Sequence, residues 1–149
     1  MLFGKREKAT GRKRIKRILI VEDEPLVAFD NEHLLADAGF DVVATVDSVA
    51  DAVRVIGAES LDLVMTDVAL NGVGDGTDVA RAAAGEGVPV LFVTGNFPEE
   101  ARSLGVGCLA KPYPPRALLS AISAIDAQMD GRPRKKLPRG FRLFGEASA

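Results

Sequence analysis

Four short apolar segments of the chain each end at a charged or hydroxyl-bearing residue, and this repeated pattern constrains the fold most strongly. The segments are residues 18–21, 61–66, 88–93 and 106–110. The polar residues that follow them are Glu22 with Asp23, then Asp67, Thr94 and Lys111. Short apolar runs separated by helix-length segments are typical of strands in a parallel sheet. Because the carboxyl ends of parallel strands open onto one crevice, these polar residues are expected to meet there.

The alternation of apolar runs and amphipathic segments predicts five strands and five helices. The predicted strands are residues 16–21, 41–46, 61–66, 88–93 and 106–110. The predicted helices are residues 25–38, 48–58, 76–84, 97–103 and 114–129. Pro25 suits the first turn of the first helix, and Gly39 suits its end. The sequence therefore predicts an α/β domain of doubly wound (βα)5 architecture with a five-stranded parallel sheet.

The residues of the predicted crevice have the chemistry of a magnesium-dependent phosphoryl acceptor. Three carboxylates in a partly desolvated cleft, those of Glu22, Asp23 and Asp67, repel one another, and a hard divalent cation relieves this repulsion. Mg²⁺ prefers oxygen ligands and completes its coordination with water and phosphate oxygens. An aspartate carboxylate can form an acyl phosphate, which makes Asp67 the candidate nucleophile. Lys111 can pair with one phosphoryl oxygen, and the Thr94 hydroxyl can donate to another.

Four motifs of the chain resemble those of the two-component response-regulator receiver domain, over roughly residues 15 to 128. The motifs are Ile18-Leu19-Ile20-Val21-Glu22-Asp23-Glu24-Pro25, Leu63-Val64-Met65-Thr66-Asp67-Val68-Ala69-Leu70, Thr94-Gly95 and Lys111-Pro112-Tyr113. They occur in the order of the family, and 44 residues separate Asp23 from Asp67, as 44 separate Asp67 from Lys111. The resemblance implies the flavodoxin-like receiver fold.

The resemblance also implies a role for each residue of the crevice. Asp67 would accept the phosphoryl group from a histidine kinase or a histidine phosphotransfer protein. The ligands implied for Mg²⁺ are Glu22, Asp23, Asp67 and the backbone carbonyl of Ala69. The residues implied to act on the phosphoryl group are Asp67, Thr94 and Lys111. A receiver of this kind assists its own phosphorylation and dephosphorylation but is not an enzyme that acts on other substrates.

Two positions depart from the receiver pattern. Receivers usually carry an aromatic residue three positions before the lysine, whose burial reports phosphorylation, and here that position is Cys108. Residues 90–96 resemble a branch of stand-alone receivers with a Phe-Ala-Thr-Gly sequence, known mainly from stress signalling in alphaproteobacteria. Val93 stands where that branch has alanine. The resemblance therefore favours a stand-alone receiver with an altered switch.

The net charge of −2 is divided unevenly along the chain. Residues 1–17 carry eight Lys or Arg and one acidic residue, residues 131–149 carry six and one, and residues 18–130 carry five and nineteen. This division predicts a basic N-terminal arm (1–14), a receiver domain (15–130) and a basic, irregular C-terminal tail (131–149). The remaining ~20 residues are too few for a helix-turn-helix output module. The expected output is therefore contact with a downstream protein, with nucleic acid ranked below it and a homodimer compatible with the sequence.

Length, cysteine usage and hydropathy predict a cytoplasmic protein. The 149 residues fit one domain. The single cysteine excludes an internal disulfide and suits a reducing compartment. No apolar run approaches the ~20 residues of a membrane span, and the basic start is followed by too short an apolar run for a secretory signal.

Two other classes of function remain open from the sequence. A metal-dependent phosphatase or phosphotransferase could use Asp67 as nucleophile, but the second catalytic aspartate that such enzymes place two residues later is here Ala69. A receiver-shaped binding module without phosphotransfer would have no need of Asp67, Thr94 and Lys111 together. Acetyl phosphate with Mg²⁺ separates these classes, since a receiver gains one phosphoryl group, an enzyme turns over continuously and a binding module does not react.

Overall fold

The computed structural model describes residues 13–133 and 136–145. Its strands are β1 (Arg17–Val21), β2 (Asp41–Val46), β3 (Leu63–Thr66), β4 (Val90–Thr94), β5 (Gly107–Ala110) and β6 (Phe141–Leu143). Its helices are α1 (Pro25–Asp37), α2 (Val49–Ala58), α3 (Gly76–Gly85) and α4 (Pro115–Met129), with one 3₁₀ helix (Glu99–Leu104) between β4 and β5. None of the helices in these ranges is long and apolar enough to cross a membrane.

The six strands form one sheet in the order β2-β1-β3-β4-β5-β6. The first five strands are parallel, and β6 runs antiparallel to β5. The order of the parallel strands is that of the flavodoxin-like fold, in which the crevice lies at the carboxyl ends of the strands where the strand order reverses. The predicted doubly wound α/β class is confirmed, whereas the predicted count of five strands is one too low.

The central strands are buried on both faces, so their successive residues join two different cores. Side chains alternate between the faces of a strand. Ile18 and Ile20 pack in the core that includes Leu35 of α1 and the apolar residues of α4. Leu19 and Val21 pack in the opposite core, with residues of α2 and α3. This two-sided burial fixes the register of β1 and thereby the position of the acidic residues that follow it.

The C-terminal segment differs from the predicted irregular tail. Its residues 141–143 form β6, and Phe141, Leu143 and Phe144 are only 6%, 7% and 3% exposed. Phe141 and Leu143 join one core of the domain, and Phe144 joins the other. Burial of three large apolar side chains outweighs the turn-forming tendency of the glycines around them. The prediction of an irregular tail is therefore wrong for this segment, whereas the predicted basic arm lies outside the described residues apart from Lys13 and Arg14.

The segment predicted as an α-helix over residues 97–103 is instead the 3₁₀ helix over Glu99–Leu104. Pro98 precedes it in an extended conformation, and Gly105 ends it. Six residues between a proline and a glycine leave room for little more than two tight turns, and 3₁₀ geometry is common in such short connections. Ala101 is its one buried residue, so packing gives little support to a regular α-helix.

Two buried carboxylates at the end of α4 hold the segment that leads into β1. Asp126 Oδ2 accepts the backbone N–H groups of Arg14 and Ile15, both at 2.9 Å, and its Oδ1 accepts Arg132 Nη2 at 2.7 Å. Asp130 accepts Arg14 Nε at 3.1 Å and Arg132 Nε at 2.9 Å. The two aspartates are 4% and 2% exposed. We call these side chains the Asp126–Asp130 clamp; it lies at the end of the sheet where the parallel strands begin.

Candidate functional site

A cleft of 840 Å³ lies at the carboxyl ends of β1, β3, β4 and β5. Its charged and polar lining residues are Asp23, Glu24, Asp67, Asn71, Asp75, Thr94, Asn96 and Lys111. The strand order brings together Asp23, Asp67, Ala69, Thr94 and Lys111, all of which the sequence assigned to one site. Glu22, the sixth assigned residue, is buried and does not line the cleft.

The backbone around Asp67 is held by β1 and by the start of α3. The N–H of Asp67 donates to the Val21 carbonyl at 3.1 Å, and the Thr66 hydroxyl donates to the Asp67 carbonyl at 2.8 Å. Gly76 approaches so closely that a Cβ at its position would lie 2.0 Å from the Asp67 carbonyl oxygen. A residue larger than glycine at position 76 would thus displace this backbone.

The Asp67 carboxylate is accessible at the cleft although the residue as a whole is only 8% exposed. Its Oδ1 accepts the N–H of Ala69 at 3.2 Å, and its Oδ2 accepts Lys111 Nζ at 2.7 Å. One backbone donor and one ammonium group thus face the carboxylate that the sequence selects as nucleophile.

Lys111 connects the carboxylates of two strand ends. Its Nζ lies 2.7 Å from Asp67 Oδ2, 2.9 Å from Glu22 Oε1 and 3.5 Å from Glu24 Oε1. Burial lowers the pKa of Lys111, but hydrogen bonds to Asp67 and Glu22 outweigh it and raise the pKa above its ordinary value. The ammonium group therefore stays protonated at physiological pH. The Lys111–Pro112 peptide bond is cis, and the N–H of Lys111 donates to the Thr94 carbonyl at 3.0 Å.

Glu22 lies behind the cleft, and its carboxylate holds neighbouring groups in place. It is 4% exposed, and its Oε2 accepts the N–H of Glu24 at 3.1 Å. Burial raises the pKa of Glu22 although its hydrogen bond from Lys111 acts in the opposite direction. Burial thus affects the pKa of Glu22 more than its ion pair with Lys111 does. The pKa of Lys111 is affected more by its carboxylate partners than by burial, because Lys111 has several such partners whereas Glu22 has one ammonium partner.

Asp23 and Thr94 occupy the cleft walls on either side of Asp67. Asp23 Oδ2 accepts the N–H of Asn71 at 2.8 Å and so links the loop after β1 to the loop after β3. Thr94 is 4% exposed, and its Oγ1 accepts the N–H of Asn96 at 3.4 Å. This bond leaves the hydroxyl proton of Thr94 available to an acceptor that enters the cleft.

The oxygen atoms that line the cleft suit a hard divalent cation such as Mg²⁺. Within residues 13–133 and 136–145, no three Asp, Glu, His or Cys side chains converge to form a metal cage made by the protein alone. The carboxylates of Asp23 and Asp67 and the residue Ala69 instead line an open site. Mg²⁺ is usually held in this way, by one or two carboxylates with water and substrate phosphate oxygens in the other positions.

Two contributors to the site are missed by sequence reasoning. Glu24 is the N-cap residue of α1, and its exposed side chain lines the cleft and lies 3.5 Å from Lys111 Nζ. Asn71 contributes its backbone N–H to Asp23. A backbone donor leaves no trace in residue identity, so no sequence signal could have assigned this role to Asn71.

The chain matches the model of a known protein family. The model of the response regulator receiver domain matches residues 18–123. Among characterised proteins, the phyllosphere-induced regulator PhyR of Methylorubrum extorquens is 33% identical over 126 residues, which cover 79% of this chain and 46% of PhyR. The chain spans about half the length of the curated relatives it matches.

Solved structures show the same fold. A CheY-like receiver domain protein of Methanospirillum hungatei superposes with a TM-score of 0.70 at 24% identity, covering 78% of this chain and 98% of that one. A response regulator receiver protein of Sinorhizobium medicae has a TM-score of 0.65 at 32% identity, covering 78% and 95%. The architecture derived from the strand order is therefore shared by these receivers.

Proposed function

Because the chain belongs to the response regulator receiver domain family, we propose that it accepts a phosphoryl group on Asp67 and passes the signal on by contact with a downstream protein. The donor is the phosphohistidine of a histidine kinase or of a histidine phosphotransfer protein. The observation that carries this proposal is the position of Asp67 at the cleft, 2.7 Å from the ammonium of Lys111 and beside Asp23 and Thr94.

The reaction requires positioning and charge compensation more than acid or base chemistry. A carboxylate oxygen of Asp67 forms the new bond to phosphorus, while the bond from phosphorus to the donor's imidazole nitrogen breaks and the nitrogen keeps the electron pair. Lys111 then pairs with a phosphoryl oxygen, and the Thr94 hydroxyl donates to another. The rigid backbone of Asp67 keeps its carboxylate in line with the entering group.

The carboxylates at the ends of β1 and β3 and the backbone of Ala69 are proposed to hold Mg²⁺. Asp23, Asp67 and the Ala69 carbonyl would be direct ligands, and Glu22, which is paired with Lys111, would act from behind the cleft. Bound Mg²⁺ would neutralise the charge that develops on the phosphoryl oxygens. Lys111 also offsets the negative charge of Glu22 and Asp67, so the cleft can accommodate the additional negative charge of a phosphoryl group.

In the stand-alone form that the residues around Thr94 favour, output depends on a protein partner. PhyR is named a regulator and is about twice as long as the matched segment, so its activity as a whole is not carried over to this chain. The partner is proposed only as a protein that distinguishes the phosphorylated surface from the unphosphorylated one.

Phosphorylation by acetyl phosphate with Mg²⁺, followed by intact mass, tests the assignment of Asp67. We expect the wild-type chain to gain one phosphoryl group and the Asp67→Asn variant to gain none, because the amide is not a nucleophile of comparable strength. Asp75→Asn is the matched control, since Asp75 lines the same cleft but caps α3. A mass gain in Asp67→Asn equal to that of the wild type would show that another residue is the acceptor.

A further inference from the structure

The strand β6 covers what would otherwise be an open edge of the sheet. It pairs with β5 so that Arg142 lies opposite Cys108 and Phe141 opposite Leu109. The N–H of Ala110 donates to the Gly140 carbonyl at 2.9 Å, and the N–H of Phe144 donates to the Val106 carbonyl at 2.8 Å. An uncovered β5 would present these backbone groups to any extended chain. The edge is therefore a strand-docking surface that the protein's own C-terminal segment occupies.

Side chains of the segment after β4 help to hold β6 in place. Arg142 donates Nη1 and Nη2 to the two carboxylate oxygens of Glu99 at 2.6 Å and 2.9 Å. The Phe144 ring lies 5.4 Å from the Phe97 ring, and the Arg142 guanidinium lies over both rings. These hydrogen bonds from Arg142 hold the pKa of Glu99 below its ordinary value. The Arg142–Glu99 pair is exposed, and exposed ion pairs contribute little to stability. A small displacement of the 3₁₀ helix is therefore enough to weaken the contacts that keep β6 in place.

Thr94 and Lys111, which would bind the phosphoryl oxygens, are connected to β6 by two routes. Thr94 is followed by the loop that carries Asn96, Phe97 and Glu99, and the N–H of Asn96 donates to Thr94 Oγ1. The N–H of Lys111 donates to the Thr94 carbonyl, directly after the β5 residue Ala110 that pairs with Gly140. A movement of Thr94 and Lys111 toward the cleft thus reaches β6 through the Phe97–Phe144 contact and through the end of β5.

We propose that β6 is a displaceable strand: a phosphoryl group on Asp67 loosens it, and the freed β5 edge docks an extended segment of a partner protein. The inference rests on the proposed function of Asp67. Lys111 and Thr94 must turn toward phosphoryl oxygens, and Lys111 then leaves Glu22 and Glu24. The partner segment adds as an antiparallel strand and places apolar side chains where Phe141, Leu143 and Phe144 lie now.

Hydrogen exchange of the full chain during phosphorylation tests the loosening. The wild-type chain is kept in acetyl phosphate with Mg²⁺, and intact mass at each time point gives the phosphorylated fraction. We expect the amides of Phe144 and Ala110 to exchange faster by about fivefold or more, the lower end of typical allosteric couplings. The amide of Val64, which donates to the Pro89 carbonyl inside the sheet, serves as the internal reference and should not change.

The two readouts separate the failure of this inference from the failure of the proposed function. A full mass gain with unchanged exchange at Phe144 and Ala110 overturns the displaceable strand and leaves the phosphorylation of Asp67 standing. Absence of any mass gain overturns both, since the strand has then no signal to respond to.

Glu99→Gln tests the coupling in the opposite direction. A β6 that is already loosened should raise the phosphorylated fraction at a given acetyl phosphate concentration, because the strand then no longer opposes the movement of Thr94 and Lys111 toward the phosphoryl group. Asp51→Asn is the matched control: it removes a comparable exposed ion pair, with Arg54 on α2, away from β6. An increase in Glu99→Gln and none in Asp51→Asn supports the inference, and equal fractions in both variants and the wild type overturn it.

A peptide with the sequence of residues 138–145 tests the docking surface. The chain's own strand competes at an effective concentration of about millimolar, so the peptide is titrated into that range against ¹⁵N-labelled Glu99→Gln. With the phosphorylated variant we expect saturable shifts of the Gly107, Cys108 and Leu109 amides, and with a scrambled peptide we expect none. Loosening of β6 without specific capture of the peptide would overturn the proposed docking surface.

Discussion

The ammonium of Lys111 stabilises a pair of buried carboxylates that would otherwise repel each other. Asp67 and Glu22 are 8% and 4% exposed, and both accept a hydrogen bond from Lys111 Nζ. Two carboxylates in such surroundings repel each other unless a cation lies between them. Lys111 therefore has a role in folding as well as a proposed role on the phosphoryl group, and its two roles can be measured separately.

Replacement of Lys111 by methionine should destabilise the fold more strongly at neutral than at acidic pH. We expect Lys111→Met to lower the free energy of unfolding near neutral pH by about 2 kcal/mol, less than the 3–5 kcal/mol of fully buried pairs because the cleft is partly open. The loss should shrink on acidification, because burial already raises the pKa of Glu22 and its protonation relieves the repulsion. Urea denaturation at about pH 7 and about pH 4 measures both values.

The exposed residue Lys136 provides the control for this comparison. Lys136→Met removes the same charge from the surface and should change the unfolding free energy by less than about 0.5 kcal/mol. A loss in Lys111→Met that is equal at both pH values would contradict the role of Lys111 between two carboxylates.

Asp23 is the carboxylate whose proposed metal role can be tested without phosphorylation. Mg²⁺ that binds the folded chain raises its melting temperature. Asp23→Asn should reduce this rise, with an affinity for Mg²⁺ weaker by about tenfold or more, since one negatively charged oxygen ligand is lost. The amide oxygen can still accept the N–H of Asn71, so the loop geometry is preserved. Asp41→Asn, which alters a carboxylate paired with Arg17 at the other edge of the sheet, should keep the full response, and the same response in Asp23→Asn would refute its assignment.

The sequence predicts that these residues meet in one cleft because the topology, not side-chain detail, brings them together. Asp23, Asp67, Thr94 and Lys111 all follow or end parallel strands, and the convergence of strand ends requires only that the strands be identified. The different positions of Glu22 and Asp23 could not be predicted in this way. They are neighbours in sequence, and which one faces the cleft depends on the packing of Lys111 and on the backbone N–H of Asn71.

Short elements are predicted less well than long ones, for a physical reason. The strands β1 to β5 have four to six residues each, whereas β6 has three residues and lies between Gly140 and a second glycine, Gly145. Its formation depends on an edge of β5 that is distant in sequence, and local composition contains no record of that edge. The 3₁₀ segment is similar, since tertiary contacts decide its geometry.

The N-terminal caps of α2 and α3 give a matched pair for a pH test of local stability. Asp75 accepts the N–H of Thr77 at 2.8 Å and forms a capping box with Asp78, whereas Ser48 accepts the N–H of Asp51 at 3.2 Å. We expect Asp75→Ala and Ser48→Ala each to lower the free energy of unfolding by about 1 kcal/mol near neutral pH.

Only the loss from Asp75→Ala should depend on pH. Hydrogen bonds from Thr77 lower the pKa of Asp75 below its ordinary value of 3.8, so its stabilisation is present above that value and is lost as the pH falls through the folded-state pKa. Chemical denaturation at about pH 6 and about pH 3 should therefore show a shrinking difference for Asp75→Ala and a constant one for Ser48→Ala. A constant difference in both variants would mean that the charge of Asp75 does not contribute to the cap.

The molecule as a whole has the Asp67 cleft at the carboxyl ends of the parallel strands and the Asp126–Asp130 clamp at their amino ends. Arg14 of the N-terminal basic stretch and Arg132 of the C-terminal one pair with the carboxylates of the clamp. Arg142, also from the basic C-terminal stretch, pairs with Glu99. These three arginines thus contact the acidic domain within the molecule, and none of them lines the cleft.

This separation predicts that the clamp affects stability but not phosphoryl transfer. Asp126 accepts two backbone N–H groups and one guanidinium, and Asp126→Ala leaves these donors, among them the buried N–H of Ile15, without their acceptor. We expect a loss of about 3 kcal/mol in the free energy of unfolding, as for other broken buried ion pairs, and faster exchange of the Ile15 amide. The initial rate of phosphorylation by acetyl phosphate, measured where the variant is still folded, should stay within about twofold of the wild type, because the clamp and Asp67 lie at opposite ends of the strands, and effects at distant sites are usually independent. Ser123→Ala, an exposed change one turn earlier on α4, controls for helix propensity. Slower phosphorylation of the folded Asp126→Ala variant would instead mean that α4 couples the clamp to the Asp67 cleft at the opposite end of the strands.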